Sequence, residues 1–360
     1  MFKTQSTLDN FFVNPCANSS NNYEIKRYFY LIWENKFKPN VQAYWTDIKP
    51  VKINYMKQVY WESSEVKKKS NNYIKKGYYF YLCGYFADIN DRAYYLSKEK
   101  IYKNVPYLIS HLQKCIRKQD DILAIPTCYH LCKLNLSDLL RRLPIIMLED
   151  TTLHESFTTI IWLMIACSDD KFKIKKYIYE WILGVVYTLC KINETDNVAN
   201  NNAVNVPSNI INILDKYKYL KENEYSLLYS IHLRIAYGGL DSDIEMLKKY
   251  AELWEERFNS AIASVNISTI IIKPISTNIN DLEIGDWDLS AIDYHCNSKF
   301  LEYISKKFNT IDIEELKQVI WNNSSNINKR VFFESGKCKT WNEISAYVQK
   351  TQKYLLDSSY

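Results

Sequence analysis

The spacing of apolar residues changes once along this chain, near residue 104. Between residues 23 and 103 they fall in short aromatic runs, such as Tyr28-Phe29-Tyr30-Leu31-Ile32-Trp33 and Tyr78-Tyr79-Phe80-Tyr81-Leu82. Runs of that length and composition predict strands, and the stretch is expected to form a small α/β or β-rich module. From 104 to 192 the spacing lengthens to three or four, in Leu108, Leu112, Cys115 and Ile116 and again in Leu136, Leu139, Leu140 and Leu143. That is the stripe of an amphipathic helix. The strongly apolar segments 157–167 and 173–192, with Ile160, Ile161 and Leu163 and then Trp181, Ile182 and Leu183, are expected to be helices central to the core. Residues 193–208, with Asn200-Asn201-Asn202 and Pro207, read as a linker or insertion. Residues 209–257 predict a helix pair, with Gly238-Gly239 as the stop of the first helix and Asp241 as the N-cap of the second. The β-branched run Val265 to Ile272 reads as a strand or a buried loop, and helices are expected at 289–306, 312–322 and 341–356. The predicted fold is mainly α: a disordered tail (1–22), a basic aromatic-rich α/β module (23–103), a helical domain (104–192), the linker (193–208) and a C-terminal helical domain (209–360).

Composition narrows the class. Hydrophobic residues make up 47% of the 360 and charged residues 24%, ordinary for a globular chain, and the scarcity of Gly (7) and Pro (8) excludes loop-dominated or collagen-like structure. No apolar run approaches eighteen residues and the start MFKTQSTLDN lacks an apolar leader, so the chain is expected to be neither membrane-spanning nor secreted. Nine cysteines, odd in number and mostly in apolar surroundings, fit reduced thiols inside a cell. The expected location is the nucleus or a viral replication compartment.

Charge is unevenly spread. Residues 1–120 hold 20 Lys/Arg against 10 Asp/Glu, and also 15 of the 30 tyrosines. Lys26, Arg27, Lys67, Lys68, Lys69, Lys75 and Lys76 lie among these rings. Cations that neutralise phosphates beside rings that stack on bases make a nucleic-acid surface. The same composition follows from A/T-rich coding, and alternating tyrosines also suit a half-buried strand.

Within the tail, Gln5-Ser6-Thr7-Leu8-Asp9-Asn10-Phe11-Phe12 fits Q-x-x-[ILM]-x-x-[FY]-[FY] at every defining position. The segment resembles the PCNA-interacting peptide, or PIP box, of proteins that dock on the sliding clamp. One 3₁₀ turn brings residues three apart to the same side, so that Leu8 and Phe11 project together with Phe12 beside them. The resemblance implies an apolar plug formed by Leu8, Phe11 and Phe12, with Gln5 hydrogen-bonding at a neighbouring polar pocket. The alternative for the same residues is a tail stapled to its own globule by Phe11 and Phe12.

A second likeness covers roughly 104–190. His111 to Lys118, followed by Leu140-Arg141-Arg142-Leu143-Pro144-Ile145-Ile146-Met147-Leu148-Glu149-Asp150, is similar to the helical collar of clamp-loader-like AAA+ ATPases of replication-associated recombination. It implies a helical oligomerisation module, with Arg141, Arg142, Glu149 and Asp150 in ion pairs. The sequence departs from those ATPases in having no G-x-x-x-x-G-K-[ST] loop, so neither ATP hydrolysis nor any cofactor is expected.

His111 with Cys115, and Cys128 with Cys132 around His130, have helical spacing that two helices could turn into a zinc site, but such cysteines are more often small core residues and no metal is expected. Glu283, Asp286, Asp288, Asp293 and His295 are dense enough to hold Mg²⁺ for phosphodiester chemistry, or else form a loop in which Asp286 or Asp288 caps the next helix. The expectation is a clamp-binding accessory factor of DNA replication or repair that also contacts DNA and is not an enzyme. The alternatives are a clamp-tethered metal-dependent nuclease and a pure interaction scaffold.

Overall fold

The computed structural model describes residues 26–34, 41–62, 77–87, 104–196, 217–260, 267–276, 287–292, 298–331 and 338–357. They are mainly α-helical, with one small sheet at the N-terminal side. The strands are β1 (Tyr28–Trp33), β2 (Val41–Thr46), β3 (Tyr55–Glu62) and β4 (Gly77–Phe86). The longer helices are α1 (Val105–Arg117), α2 (Asp121–Asp150), α3 (Ser156–Ala166), α4 (Lys176–Lys191), α5 (Glu222–Ala236), α6 (Asp241–Asn259), α7 (Ser298–Lys307), α8 (Ile313–Ile320) and α9 (Lys339–Asp357). The chain divides into two compact units. The described residues of Met1–Ala93, His154–Ile174 and Asn197–Thr269 make the first; those of Tyr94–Leu153, Lys175–Asp196 and Ile270–Tyr360 make the second.

In the first unit the strand order is β2-β1-β4-β3, with β1 parallel to β4 and both outer strands antiparallel to their neighbours. A central strand is covered on both faces, which is why β1 is a nearly unbroken apolar run. Its register places Phe29, Leu31 and Trp33 on one face with Trp45, Ala43, Leu82, Gly84 and Phe86. Helix α3 packs here. It is predominantly apolar, its polar residues being only Ser156, Thr158 and Thr159, and it is buried along its whole length. The Trp162 indole N–H donates to two main-chain carbonyls, Phe29 on β1 (3.1 Å) and Cys83 on β4 (3.0 Å). Gly84 makes the approach possible: a Cβ there would sit 3.1 Å from the Trp162 ring and 2.8 Å from that of Phe86. Helix α5 adds Tyr229, edge-on to Trp45 at 4.1 Å between ring centres.

Gly238 and Gly239, at φ of 77° and 152°, end α5 as the sequence predicts. The next helix differs from expectation. Leu240 occupies the N-cap without a side-chain bond, and Asp241 is the first helical residue. There Asp241 and Asp243 favour the helix through the dipole at its first turn.

In the second unit Asn104 caps α1 by accepting from the Tyr107 amide, and Asp120 caps α2 through the Leu123 amide. Helix α2 runs 30 residues through Pro126 and Pro144 and bends at Asn135, whose φ of −155° is non-helical. Asn135 then accepts from the Asp138 amide (3.1 Å), capping the second half. Among the described residues, which begin at 267, the β-branched run forms no ladder: Ser268 makes an isolated bridge to His154 in the first unit, and residues 270–276 run irregularly in the second. There the Ile275 amide donates to Glu180 of α4 at 3.0 Å. The stretch expected as one helix at 289–306 holds a 3₁₀ turn at Leu289–Ala291 and then α7. Helices α7, α8 and α9 close their own core around Phe300, Ile304, Leu316, Ile320, Ile344 and Val348.

Candidate nucleic-acid interface

Strand alternation sends Tyr28, Tyr30 and Ile32 of β1 to the sheet face opposite α3, together with Tyr44 of β2 and Tyr81, Cys83 and Tyr85 of β4. Tyr28 and Tyr81 stack at 5.4 Å, and Tyr30 meets Tyr44 edge-on at 5.6 Å. Tyr28 and Tyr30 are buried, whereas Tyr44, Tyr60, Tyr79, Tyr81 and Tyr85 are half-buried. Burial follows from topology. β2 and β3 are the two outer strands, so residues 47–54 joining them must cross β1 and β4. This strap crosses on the tyrosine face: the Tyr30 hydroxyl donates to the Lys52 carbonyl at 2.5 Å, and Ile53 packs on the Tyr28–Tyr30–Cys83 cluster. Burial, followed by Tyr44, Cys83, Tyr85 and Glu34, pushes the Tyr30 phenol up to about 12. Asn54 ties the far end, its side chain bonding both the carbonyl (2.7 Å) and the amide (3.0 Å) of Phe86.

The two described cations of the predicted surface separate at the mouth of β1. Lys26 is exposed. Arg27 is 8% exposed, with its guanidinium 3.6 Å from the Asp47 carboxylate, so it serves the fold rather than a phosphate. Lys67, Lys68, Lys69, Lys75 and Lys76 lie outside the described residues, in the stretch between Glu62 and Gly77. Those two flanking residues pair with each other beyond the Tyr28–Tyr81 pair, at the end of the sheet where Lys26 leads into β1. Gln5, Leu8, Phe11 and Phe12 are likewise outside the described residues. Lys49 and Lys52 of the strap, both exposed, were missed by sequence reasoning. Their signal was the short run Lys49-Pro50-Val51-Lys52 between two strand patterns, which by itself reads only as a turn.

The other clusters raised by the sequence resolve into structural roles. His111 Nε2 accepts the Asp288 amide (2.9 Å), so Nδ1 carries the proton and donates to Thr127 Oγ1 at 2.8 Å. Burial pushes the Cys115 and Cys128 thiols well up, the reverse of what a thiolate ligand needs. Among the described residues no group of three or more His, Cys, Asp or Glu is arranged to hold a metal ion. Asp288 caps the 3₁₀ turn through the Ser290 amide and pairs with Lys118 at 2.7 Å. Burial raises its pKa, but Lys118 and the Ser290 hydrogen bonds more than offset this and hold the carboxyl below its ordinary value. Glu283, Asp286, Asp293 and His295 lie outside the described residues.

The basic helix and the Glu149-Asp150 pair do meet. Buried Arg117 reaches Asp150 through Nε and Glu149 through Nη2 (3.0 Å), and Arg142 lies 3.8 Å from Glu149. Gln113 bridges the two carboxylates at 2.9 and 3.0 Å. Lys114 and Arg117 both donate to the Ser325 carbonyl, at the end of a π-turn that continues α8. Burial pushes the Asp150 carboxyl up, and Arg117 only partly offsets it.

No protein-family model matches the chain, and comparisons with curated proteins and with solved structures find no match. Among the described residues no helix is long and apolar enough to cross a membrane.

Proposed function

We propose that the protein is an accessory factor of DNA replication or repair, tethered to the sliding clamp through Gln5, Leu8, Phe11 and Phe12 and contacting DNA through its N-terminal unit. The observation that carries the reading is the Q-x-x-L-x-x-F-F spacing within the first dozen residues. Burying Leu8, Phe11 and Phe12 in a partner would release roughly 5–9 kcal/mol, from which the ordering of the peptide is subtracted. The result is an affinity on the order of micromolar, which suits a tether that raises local concentration and draws on a second contact for avidity. The exposed Lys26 and the half-buried rings of Tyr44, Tyr60, Tyr79, Tyr81 and Tyr85 support DNA as that second contact.

The test is a pull-down with the cognate clamp. Wild-type protein is expected to be retained and the Phe11→Ala/Phe12→Ala variant lost, whereas equal recovery would remove the clamp reading. A nuclease built on residues 283–295 is less well supported, because the Asp288 carboxylate is already engaged by Lys118 and Ser290.

A further inference from the structure

The strap between β2 and β3 is anchored at both ends and presents its middle outward. Its start is pinned by the Ile48 amide on Thr46 Oγ1 (3.1 Å), and its end by Asn54 and by the Tyr30 hydroxyl on Lys52. Between these anchors Ile48 is 78% and Val51 100% exposed, although both are large aliphatic side chains. Pro50 stands between them and limits the backbone of the arch. Lys49 and Lys52 alternate with the two aliphatic residues and are also exposed. The Lys52 ammonium lies 5.6 Å from the centre of the Tyr85 ring, which joins the strap to the tyrosine face beneath it.

We propose that this arch, Ile48 to Lys52, is a binding element for single-stranded nucleic acid. Lys49 and Lys52 meet phosphates, while Ile48 and Val51 lie against base faces that only an unpaired strand exposes. Charge complementarity fixes the class of partner. The acidic residue of the segment, Asp47, is itself about half exposed but lies 3.6 Å from the Arg27 guanidinium, which offsets its charge, so Lys49 and Lys52 give the arch its net positive charge. A duplex would meet the lysines equally well, but the aliphatic tips would reach its base faces only by unstacking a base step, a cost that an unpaired strand does not carry. This inference deepens the DNA contact of the proposed function and names its residues and preferred strand.

The experiment is an anisotropy titration of the full chain with labelled (dT)20 and with a duplex of equal length, each across a salt series. The single strand is expected to bind about tenfold more tightly than the duplex. Lys49→Gln/Lys52→Gln is expected to weaken (dT)20 binding about tenfold and to lower the salt slope by about 1.4, at roughly 0.7 per phosphate contact. Ile48→Ser/Val51→Ser should weaken it without changing the slope, and Lys49→Arg/Lys52→Arg should retain it. All four side chains are exposed, so circular dichroism of each variant should match wild type. Unchanged affinity in the glutamine variant, or equal binding of duplex and single strand, would overturn the proposal. Loss of binding to phosphatidylserine vesicles in that variant, with (dT)20 binding intact, would overturn it in favour of a lipid surface. Clamp recovery, measured in parallel, should be unaffected by the strap variants. If Phe11→Ala/Phe12→Ala leaves clamp recovery unchanged while the strap variants lose (dT)20, the tether reading falls and the arch stands.

Discussion

Replacing Trp162 by Phe would remove the indole N–H that two strands share while keeping a ring in the same space. The cost follows from the geometry. The N–H lies 3.1 Å from the Phe29 carbonyl and 3.0 Å from the Cys83 carbonyl, in a site with no solvent exposure at Trp162. Losing a buried hydrogen bond and leaving its acceptors short of a donor costs about 1–2 kcal/mol. The smaller ring also gives up packing against Phe86 and Tyr55, for about 1 kcal/mol more. A total of about 2–3 kcal/mol corresponds to a rise of about 30- to 150-fold in opening. Native-state hydrogen exchange resolves it: the amides of Phe29 to Leu31 and of Leu82 to Gly84 should speed up by that factor. Those of α9, in the other compact unit, serve as the internal reference. A change below threefold at β1 and β4 would refute the idea that this side chain holds the parallel pair together.

Asp150→Asn should destabilise the protein by about 3 kcal/mol in urea unfolding, because the buried Arg117 loses its charge partner; a change under about 0.5 kcal/mol would mean that Glu149 suffices. Gly184→Ala reverses the usual helix preference for alanine, because a Cβ there would lie 2.4 Å from the Lys273 carbonyl. A lower melting temperature is expected, and an unchanged or higher one would show that residues 270–276 yield easily. For Asp288 the folded pKa lies below the ordinary 3.8, so its stabilisation is full above that value and fades as pH falls below it. The difference in melting temperature between wild type and Asp288→Asn should therefore be largest near neutral pH and shrink in acid; a difference constant down to pH 2 would contradict the pairing with Lys118.

The sequence determined what depends on neighbours a few residues away. The three-to-four spacing of Leu108, Leu112, Cys115 and Ile116 fixed the buried stripe of α1, and all four are 0–1% exposed. Gly238-Gly239 marked the end of α5, and the Q-x-x-L-x-x-F-F pattern is itself a local spacing legible in full without a fold. Tertiary structure decided what depends on residues far apart. Pairing β1 with β4 joins segments about fifty residues distant, and no local period encodes which strand lies beside which. That order, with β2 and β3 at opposite edges, sent residues 47–54 across the tyrosine face and placed Val51 in solvent and Tyr30 under cover. Lys26 and Arg27 are adjacent and alike in charge, yet the fold leaves the first exposed and turns the second inward against Asp47. A side chain's charge is written in the sequence, whereas the groups it meets are set by the packing of distant segments.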